Sequence, residues 1–122
     1  MSKEVLFKIK VVIFIVFLVF LDLYSKHIAL NNLEYGNLNE TFFPLVNFLL
    51  IYNSGIAFGI FDDKGIYASY FLLVITLLIS IYLIWLIYNE ENFKKKIALS
   101  FVTGGAFGNI LDRLNDGKVT DF

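Results

Sequence analysis

The sequence predicts an all-α integral membrane protein with three transmembrane helices in this chain, and three observations lead to that prediction. Hydrophobic residues make up 58% of the 122 residues, above the roughly 45–50% of a typical soluble chain. Charged residues make up 17%, below the usual share of about 25%. Residues 66–88 carry no charge, and a helix of that length can cross a bilayer core of about 30 Å. We interpret residues 1–122 as a single membrane domain.

Two shorter apolar runs predict the other two helices. Residues 11–21 are uniformly apolar, but they are too few to cross a bilayer unless the helix extends on both sides. No A-x-A-like cleavage site follows them, which favours an uncleaved helix over a signal peptide. Residues 97–111 are uncharged and rich in small residues. The predicted division is helix 1 at about 8–30, an external segment at about 31–65, helix 2 at about 66–88, a cytoplasmic loop at about 89–96, helix 3 at about 97–114 and an external end at 115–122.

The distribution of lysines predicts the orientation in the membrane. Three lysines lie near the N-terminus, and three more occupy residues 94–96, whereas the connector between helices 1 and 2 is mainly acidic. Loops rich in lysine and arginine stay on the cytoplasmic side. We therefore expect the N-terminus and the loop at 89–96 to be cytoplasmic, and the segment at 31–65 and the C-terminal end to be external.

The external segment contains an apolar and aromatic stretch, TFFPLVNFLLIYN at residues 41–53. This stretch is too short to span a bilayer, and it suits a β-strand or an interfacial segment that rests on the membrane. Two glycines, Gly55 and Gly59, follow it. They permit a tight turn or a close approach of the backbone.

Ionisable residues at membrane depth are unusual and therefore informative. Asp22 and Lys26 lie in the outer half of helix 1, four residues apart and hence on one helix face. They form either a self-neutralising pair at a helix end or part of a functional site, and the sequence leaves both interpretations open.

Helix 3 combines small residues with a polar stripe. Gly104 and Gly108 form a G-x-x-x-G pair, with Gly105 beside them, and these glycines are expected to let another helix approach closely. The polar residues that follow lie at i, i+3 and i+4, so they share one face; they are Asn109, Asp112 and Arg113. Such a stripe is typical of a helix face turned toward a cavity or the protein interior.

Several carboxylates come together on the outer side in this topology. Asp22, Asp112 and Asp121 all lie there, together with Asn53. Close carboxylates in a poorly solvated pocket share a proton, so that one can activate water while the other donates a hydrogen bond to a carbonyl. This is the chemistry of an aspartic acid–base pair.

The residue inventory excludes other kinds of chemistry. The chain has no cysteine and a single histidine, which excludes a cysteine nucleophile, disulfides and a two-histidine zinc motif. We expect no metal and no cofactor. The net charge of −1 provides no electrostatic footprint for nucleic acid, so no nucleic-acid partner is expected.

Four motifs together resemble those of the lipoprotein signal peptidase family, signal peptidase II, in order and spacing. They are DLYSK at 22–26, NSGIAFG at 53–59, GGAFGNILDR at 104–113 and VTDF at 119–122. The resemblance covers nearly the whole chain. It implies a multi-pass protein of the bacterial inner (cytoplasmic) membrane, with four transmembrane helices in the family, an external β-cradle and an active site toward the outer face.

The resemblance also implies an activity and the residues that perform it. The family removes signal peptides from prolipoproteins by aspartic endopeptidase chemistry, cleaving before the diacylglyceryl-modified cysteine, and globomycin-type peptides inhibit it. Asp121 matches one catalytic aspartate. The other motif positions are expected to support the site: Asp22, Lys26, Asn53, Gly55, Asn109, Asp112 and Arg113. The second catalytic aspartate falls beyond Phe122, so the sequence corresponds to a C-terminally truncated family member and is expected to be inactive alone.

Two other functions remain open at this point. One is a Ser/Lys membrane protease built on Ser25 or Ser54 with Lys26, although adjacent residues on a helix point in different directions. The other is a non-catalytic small membrane scaffold or transporter subunit, in which Asp22 and Asp112 hold helices together.

Overall fold

Three long helices dominate the computed structural model, which describes residues 2–43, 45–53 and 65–122. The helices are α1 (Lys3–Asn32), α2 (Gly65–Asn89) and α3 (Phe93–Asp116). Four strands of three residues each accompany them: β1 (Leu38–Glu40), β2 (Asn47–Leu49), β3 (Ile51–Asn53) and β4 (Val119–Asp121). The mostly helical architecture agrees with the predicted class, and the strands add to it.

The helices α1 and α3 begin earlier than the apolar runs predict, because a side chain caps the N-terminus of each. The Ser2 hydroxyl accepts the N–H of Val5 at 3.3 Å, so α1 starts at Lys3 and not near residue 8. The Asn92 side chain accepts the N–H groups of Lys94 and Lys95. The loop between α2 and α3 is therefore residues 90–92 and not 89–96, and the three lysines lie in the first turn of α3.

The helices α1 and α3 run parallel and side by side. Phe7 lies 6.4 Å from Phe93 between ring centroids, and further along both helices Phe14 lies 5.6 Å from Phe101. α3 also packs against α2. Because α1 and α3 are parallel, their C-terminal ends lie at the same end of the bundle.

Small polar residues fill the helix contacts, while large apolar residues face outward. Ser80, Ser100 and Thr103 are fully buried, and each hydroxyl donates to the carbonyl four residues earlier. Many bulky side chains on the outer surfaces are more than half exposed, such as Phe17 and Phe101. Helix contacts of small residues with an apolar exterior are typical of membrane bundles.

One helix among the described residues is apolar and long enough to cross a membrane by length and composition alone. It is the Tyr67–Asn89 part of α2, with a mean hydropathy of 2.6. That α1 and α3 also cross a membrane stays a prediction.

The strands form two separate antiparallel pairs at the end of the bundle where α1 and α3 terminate. β1 pairs with β2, with Leu38 opposite Leu49, and β3 pairs with β4, with Ile51 opposite Asp121. Of the two alternatives predicted for residues 41–53, a strand or an interfacial segment, the structure shows strands at β2 and β3, in the second half of the stretch. The structure has small two-stranded sheets here, and a continuous external cradle stays a prediction.

Candidate functional site

The centre of the candidate site is the buried ammonium group of Lys26. Its Nζ lies 2.7 Å from Oδ2 of Asp22 on the same helix. It also donates to Oδ1 of Asn109 at 2.8 Å and lies 3.1 Å from Oδ2 of Asp112, both on α3. The predicted pair of Asp22 and Lys26 therefore exists, but it is not self-contained, because Lys26 also joins α1 to α3.

Asp22 is held by charge and by close packing. Among the described residues its Oδ2 has no hydrogen-bond donor with acceptable geometry, so its contact with Lys26 is an ion pair. The carboxylate lies against the backbone of Gly108, where a Cβ atom would overlap it. One turn earlier, a Cβ atom at Gly104 would lie 2.7 Å from Cβ of Leu18. The predicted G-x-x-x-G pair thus packs against α1.

Gly105 differs from its two neighbours in the motif. A Cβ atom at this position would meet nothing within 4 Å in the described part of the chain. The structure therefore does not support the helix-packing role predicted for Gly105. The reason is rotational: a residue next to Gly104 lies about 100° around the helix and faces away from α1.

Asp112 connects the buried cluster to the strand that carries Asp121. The same Oδ2 that faces Lys26 also accepts the backbone N–H of Thr120 at 3.2 Å. Thr120 and Val119 are buried, and β4 pairs with β3. The carboxylate of Asp112 thus fixes the backbone directly before Asp121.

Arg113 supplies a second cation beside these carboxylates. Its guanidinium lies within electrostatic range of Asp121 and Asp112. Its Nε is buried and has no hydrogen-bond partner among the described residues. Three carboxylates and two cations therefore lie at this end of the bundle.

Asn53 lies on the same sheet as Asp121. It is the last residue of β3 and stands opposite Val119 in the pairing with β4. Gly55 was predicted to support the site, but it lies outside the described residues, as does Ser54. The structure also groups no three His, Asp or Glu side chains as a metal site in its described part.

The Ser25–Lys26 alternative finds no geometric support. The Ser25 hydroxyl donates to the backbone carbonyl of Asp22 at 2.8 Å. The Lys26 ammonium is directed at the carboxylates and at Asn109. Each group of the supposed dyad is therefore engaged elsewhere.

Comparison with known proteins decides the family. The sequence profile described as "Signal peptidase (SPase) II" matches residues 14–122. The chain belongs to the signal peptidase II family. The resemblance drawn from the four sequence motifs is thereby confirmed.

Curated relatives within the signal peptidase II family cover most of this chain. A lipoprotein signal peptidase of Polynucleobacter necessarius subsp. necessarius (strain STIR1) is 43% identical over 103 residues, which is 84% of this chain and 63% of the relative. A lipoprotein signal peptidase of Neisseria gonorrhoeae (strain ATCC 700825 / FA 1090) is 36% identical and covers 100% of this chain, which spans 75% of that relative. The chain thus spans about two thirds to three quarters of the length of these relatives.

A solved structure agrees with this assignment. It is described as a bacterial membrane enzyme structure obtained by the in meso method at 1.9 Å resolution. It superposes with a TM-score of 0.75 at 30% identity and covers 93% of this chain and 72% of its own. The fold of this signal peptidase II family member is therefore that of a membrane enzyme.

Sequence reasoning missed one contact that positions β4 in this signal peptidase II family member. The Ser69 hydroxyl on α2 donates to the carbonyl of Gly117, the left-handed residue (φ 71°) that ends α3. Thr76 and Ser80 on the same helix bond to their own helix backbone instead. Sequence offers no signal that separates Ser69 from them, because all three are hydroxyl residues in one uncharged helix.

Proposed function

We propose that this chain carries one half of the active site of a membrane aspartic endopeptidase that removes signal peptides from prolipoproteins. The observation that carries the proposal is the connection from Lys26 through Asp112 to the Thr120 backbone, which holds the strand that bears Asp121. Membership of the signal peptidase II family supports the reaction class. Cleavage occurs before the diacylglyceryl-modified cysteine in this proposal, and globomycin-type peptides compete for the site.

The proposed chemistry assigns separate tasks to Asp121 and to its surroundings. Asp121 is one member of a carboxylate pair that shares a proton. The ionised member takes a proton from water as that water attacks the scissile carbonyl, and the protonated member donates a hydrogen bond to the carbonyl oxygen. The carboxyl group that took the proton from water then gives it to the amine of the departing fragment as the carbon–nitrogen bond breaks. Asp112 and Arg113 act as positioning residues for Asp121.

The second member of the pair is not Asp22 or Asp112 in this proposal. Both carboxylates contact the ammonium of Lys26, at 2.7 Å and 3.1 Å. Each carboxylate is thereby engaged in an ion pair with Lys26, so we assign neither of them to the pair with Asp121. In this proposal the second member comes from the part of the family that these 122 residues do not cover, since the chain spans 63% and 75% of two relatives.

The experiment compares variants of the chain extended by the family's C-terminal segment, in a bacterium depleted of its own signal peptidase II. We expect D121N to abolish prolipoprotein processing at unchanged abundance, because an amide cannot take a proton from water. The matched control is D116N, which changes an exposed aspartate at the end of α3. Full processing by D121N would reject the assignment.

The 122-residue chain on its own provides a separate test of where the second carboxylate lies. We expect it to process no prolipoprotein in the same strain. Processing by this chain that D121N abolishes would show that the second carboxylate lies within residues 1–122, and it would overturn that part of the proposal.

A multi-pass location in the bacterial inner membrane, with the site toward the outer face, completes the proposal. The apolar exterior, the small buried residues and the apolar helix α2 support it. Because the chain has no cysteine, K95C and N37C can be labelled singly with a membrane-impermeant thiol reagent in intact cells. We expect labelling at position 37 and none at position 95, and the reverse pattern would reject the orientation.

The same variants distinguish the scaffold alternative from the proposed peptidase. Lys26 joins α1 to α3 as that alternative requires, so the contact itself favours neither function. A scaffold does not need the carboxylate of Asp121. Loss of processing in D121N at unchanged abundance would therefore exclude a purely structural role.

A further inference from the structure

The hairpin of β1 and β2 ends in a strongly exposed apolar tip. We define the hairpin tip as Thr41, Phe42, Phe43, Leu45 and Val46. Phe42 is 95% exposed and Leu45 is 96% exposed, the two highest values of any large apolar side chain in the described part of the chain. Phe43 is 69% exposed. These side chains therefore protrude from the protein and do not line a groove.

Part of the backbone of the hairpin tip is hydrogen-bonded within the tip. The Thr41 hydroxyl accepts the N–H of Phe43 at 3.1 Å and shares its proton between the carbonyls of Phe43 and Val46. The N–H of Val46 donates to the carbonyl of Phe43 at 3.1 Å. Backbone groups that are paired internally lose little when water is removed, which is the condition for entering an apolar phase.

Charge is absent from the hairpin tip and from the sequence that follows it. No charged residue occurs from position 41 to position 61, and the nearest charge is Glu40 at the end of β1. Insertion of the tip would thus bring no ionised group into an apolar environment. Aromatic side chains such as Phe42 and Phe43 would lie at the level of the lipid headgroups and upper acyl chains.

We propose that the hairpin tip inserts into the outer leaflet of the membrane, with a lipid surface as its partner. The hairpin begins at Leu38, separated by five residues from the end of α1 at Asn32, at the bundle end that carries all four strands. A bilayer envelops a protruding side chain from all sides, whereas a protein partner would have to supply a complete pocket for each one. The inference rests on the membrane location proposed above, but not on the peptidase activity.

The test uses tryptophan fluorescence of the chain reconstituted in phosphatidylcholine vesicles, with or without brominated phosphatidylcholine as a quencher. Tryptophan is introduced by F42W or L45W in a W85F background, which removes the only native tryptophan. The matched control is N37W, at the exposed end of the hairpin away from the tip. The chain without substitutions reports the insertion of α2 through Trp85.

We expect the tryptophans at positions 42 and 45 to be quenched by brominated lipid and shielded from aqueous acrylamide, with emission at shorter wavelength than that of N37W. Behaviour equal to N37W would overturn the proposal. So would shielding from acrylamide without quenching by brominated lipid, which would indicate contact with a second copy or a peptide. If Trp85 is quenched but the tip is not, only this inference fails. If Trp85 is not quenched either, the membrane location fails with it.

Discussion

The carboxylate of Asp22 on α1 lies against the bare backbone of Gly108 on α3. A Cβ atom at position 108 would overlap Oδ2 of Asp22, and one turn earlier Gly104 faces Leu18 in the same way. The two helices can approach this closely only where α3 has no side chain. The approach in turn brings Lys26 within reach of Asp112, so the glycine contact is a condition for the polar cluster.

The first prediction concerns this contact. We expect G108A to destabilise the folded chain by about 1–3 kcal/mol, because the added methyl group must displace a carboxylate that is already paired with Lys26. The matched control is G105A, where an added methyl group meets nothing, and its effect should be neutral or stabilising by up to about 1 kcal/mol. Thermal unfolding in detergent micelles measures both. Equal melting temperatures of the two variants would contradict the packing argument.

The second prediction concerns Lys26. Replacing it in K26M leaves two carboxylates facing each other in a poorly solvated place, at an expected cost of about 3–5 kcal/mol. The control is K95M, because Lys95 is exposed and lies 3.9 Å from Glu90, and such surface pairs contribute below about 1 kcal/mol. The double variant K26M/D112N should recover part of the loss. A melting temperature of K26M as high as that of K95M would refute the central role of Lys26.

The third prediction concerns the hydrogen bond from Thr120 to Asp112. Removing the acceptor in D112A should release β4, because a hydrogen bond to a charged acceptor contributes about 1.5–3 kcal/mol. The direct measurement is hydrogen exchange of the Thr120 amide, which should be about 10- to 100-fold faster in D112A than in the unsubstituted chain. D116A is the control, since Asp116 is exposed at the end of α3. Unchanged protection of the Thr120 amide in D112A would count against the link.

The fourth prediction concerns pH and the loop between α2 and α3. The N–H of Asn92 donates to Glu90 at 2.9 Å and, with a smaller contribution from Lys95, holds the pKa of Glu90 below its usual value. The ionised carboxylate therefore stabilises the folded loop at pH values above about 4.3, the unfolded pKa, and this contribution is lost as the pH falls through the lower folded value.

The variant E90Q tests that dependence. It should melt below the unsubstituted chain at neutral pH, and the difference should vanish in acid below the folded pKa of Glu90. E91Q is the control, because it removes a neighbouring charge and leaves the hydrogen bond from Asn92 in place. A difference between E90Q and the unsubstituted chain that persists unchanged in acid would show that the charge of Glu90 is not the cause.

Local features were predictable from the sequence because local periodicity and the order of the motifs determine them. The uncharged run predicts α2, the spacing of four residues predicts the pair of Asp22 and Lys26, and four motifs in order predict the family. The start of α3 was also predictable, because Asn92 is of a residue type that is favoured at the N-cap of a helix. The loop was predicted too long because the lysines that follow Asn92 suggested a polar loop more strongly than a helix start.

Only the tertiary structure decided how these elements meet. Asn109 lies 83 residues from Lys26 in the chain, and whether the two touch depends on the rotation and axial shift of α1 against α3. That rotation turns Gly104 and Gly108 toward α1 and Gly105 away from it. The pairing of β4 with β3 and the bond from Ser69 to Gly117 arise in the same way. The sequence by itself determined the helices, their polar faces and the family, because these follow from local periodicity and motif order. Contacts between distant residues depend on packing that no local pattern encodes.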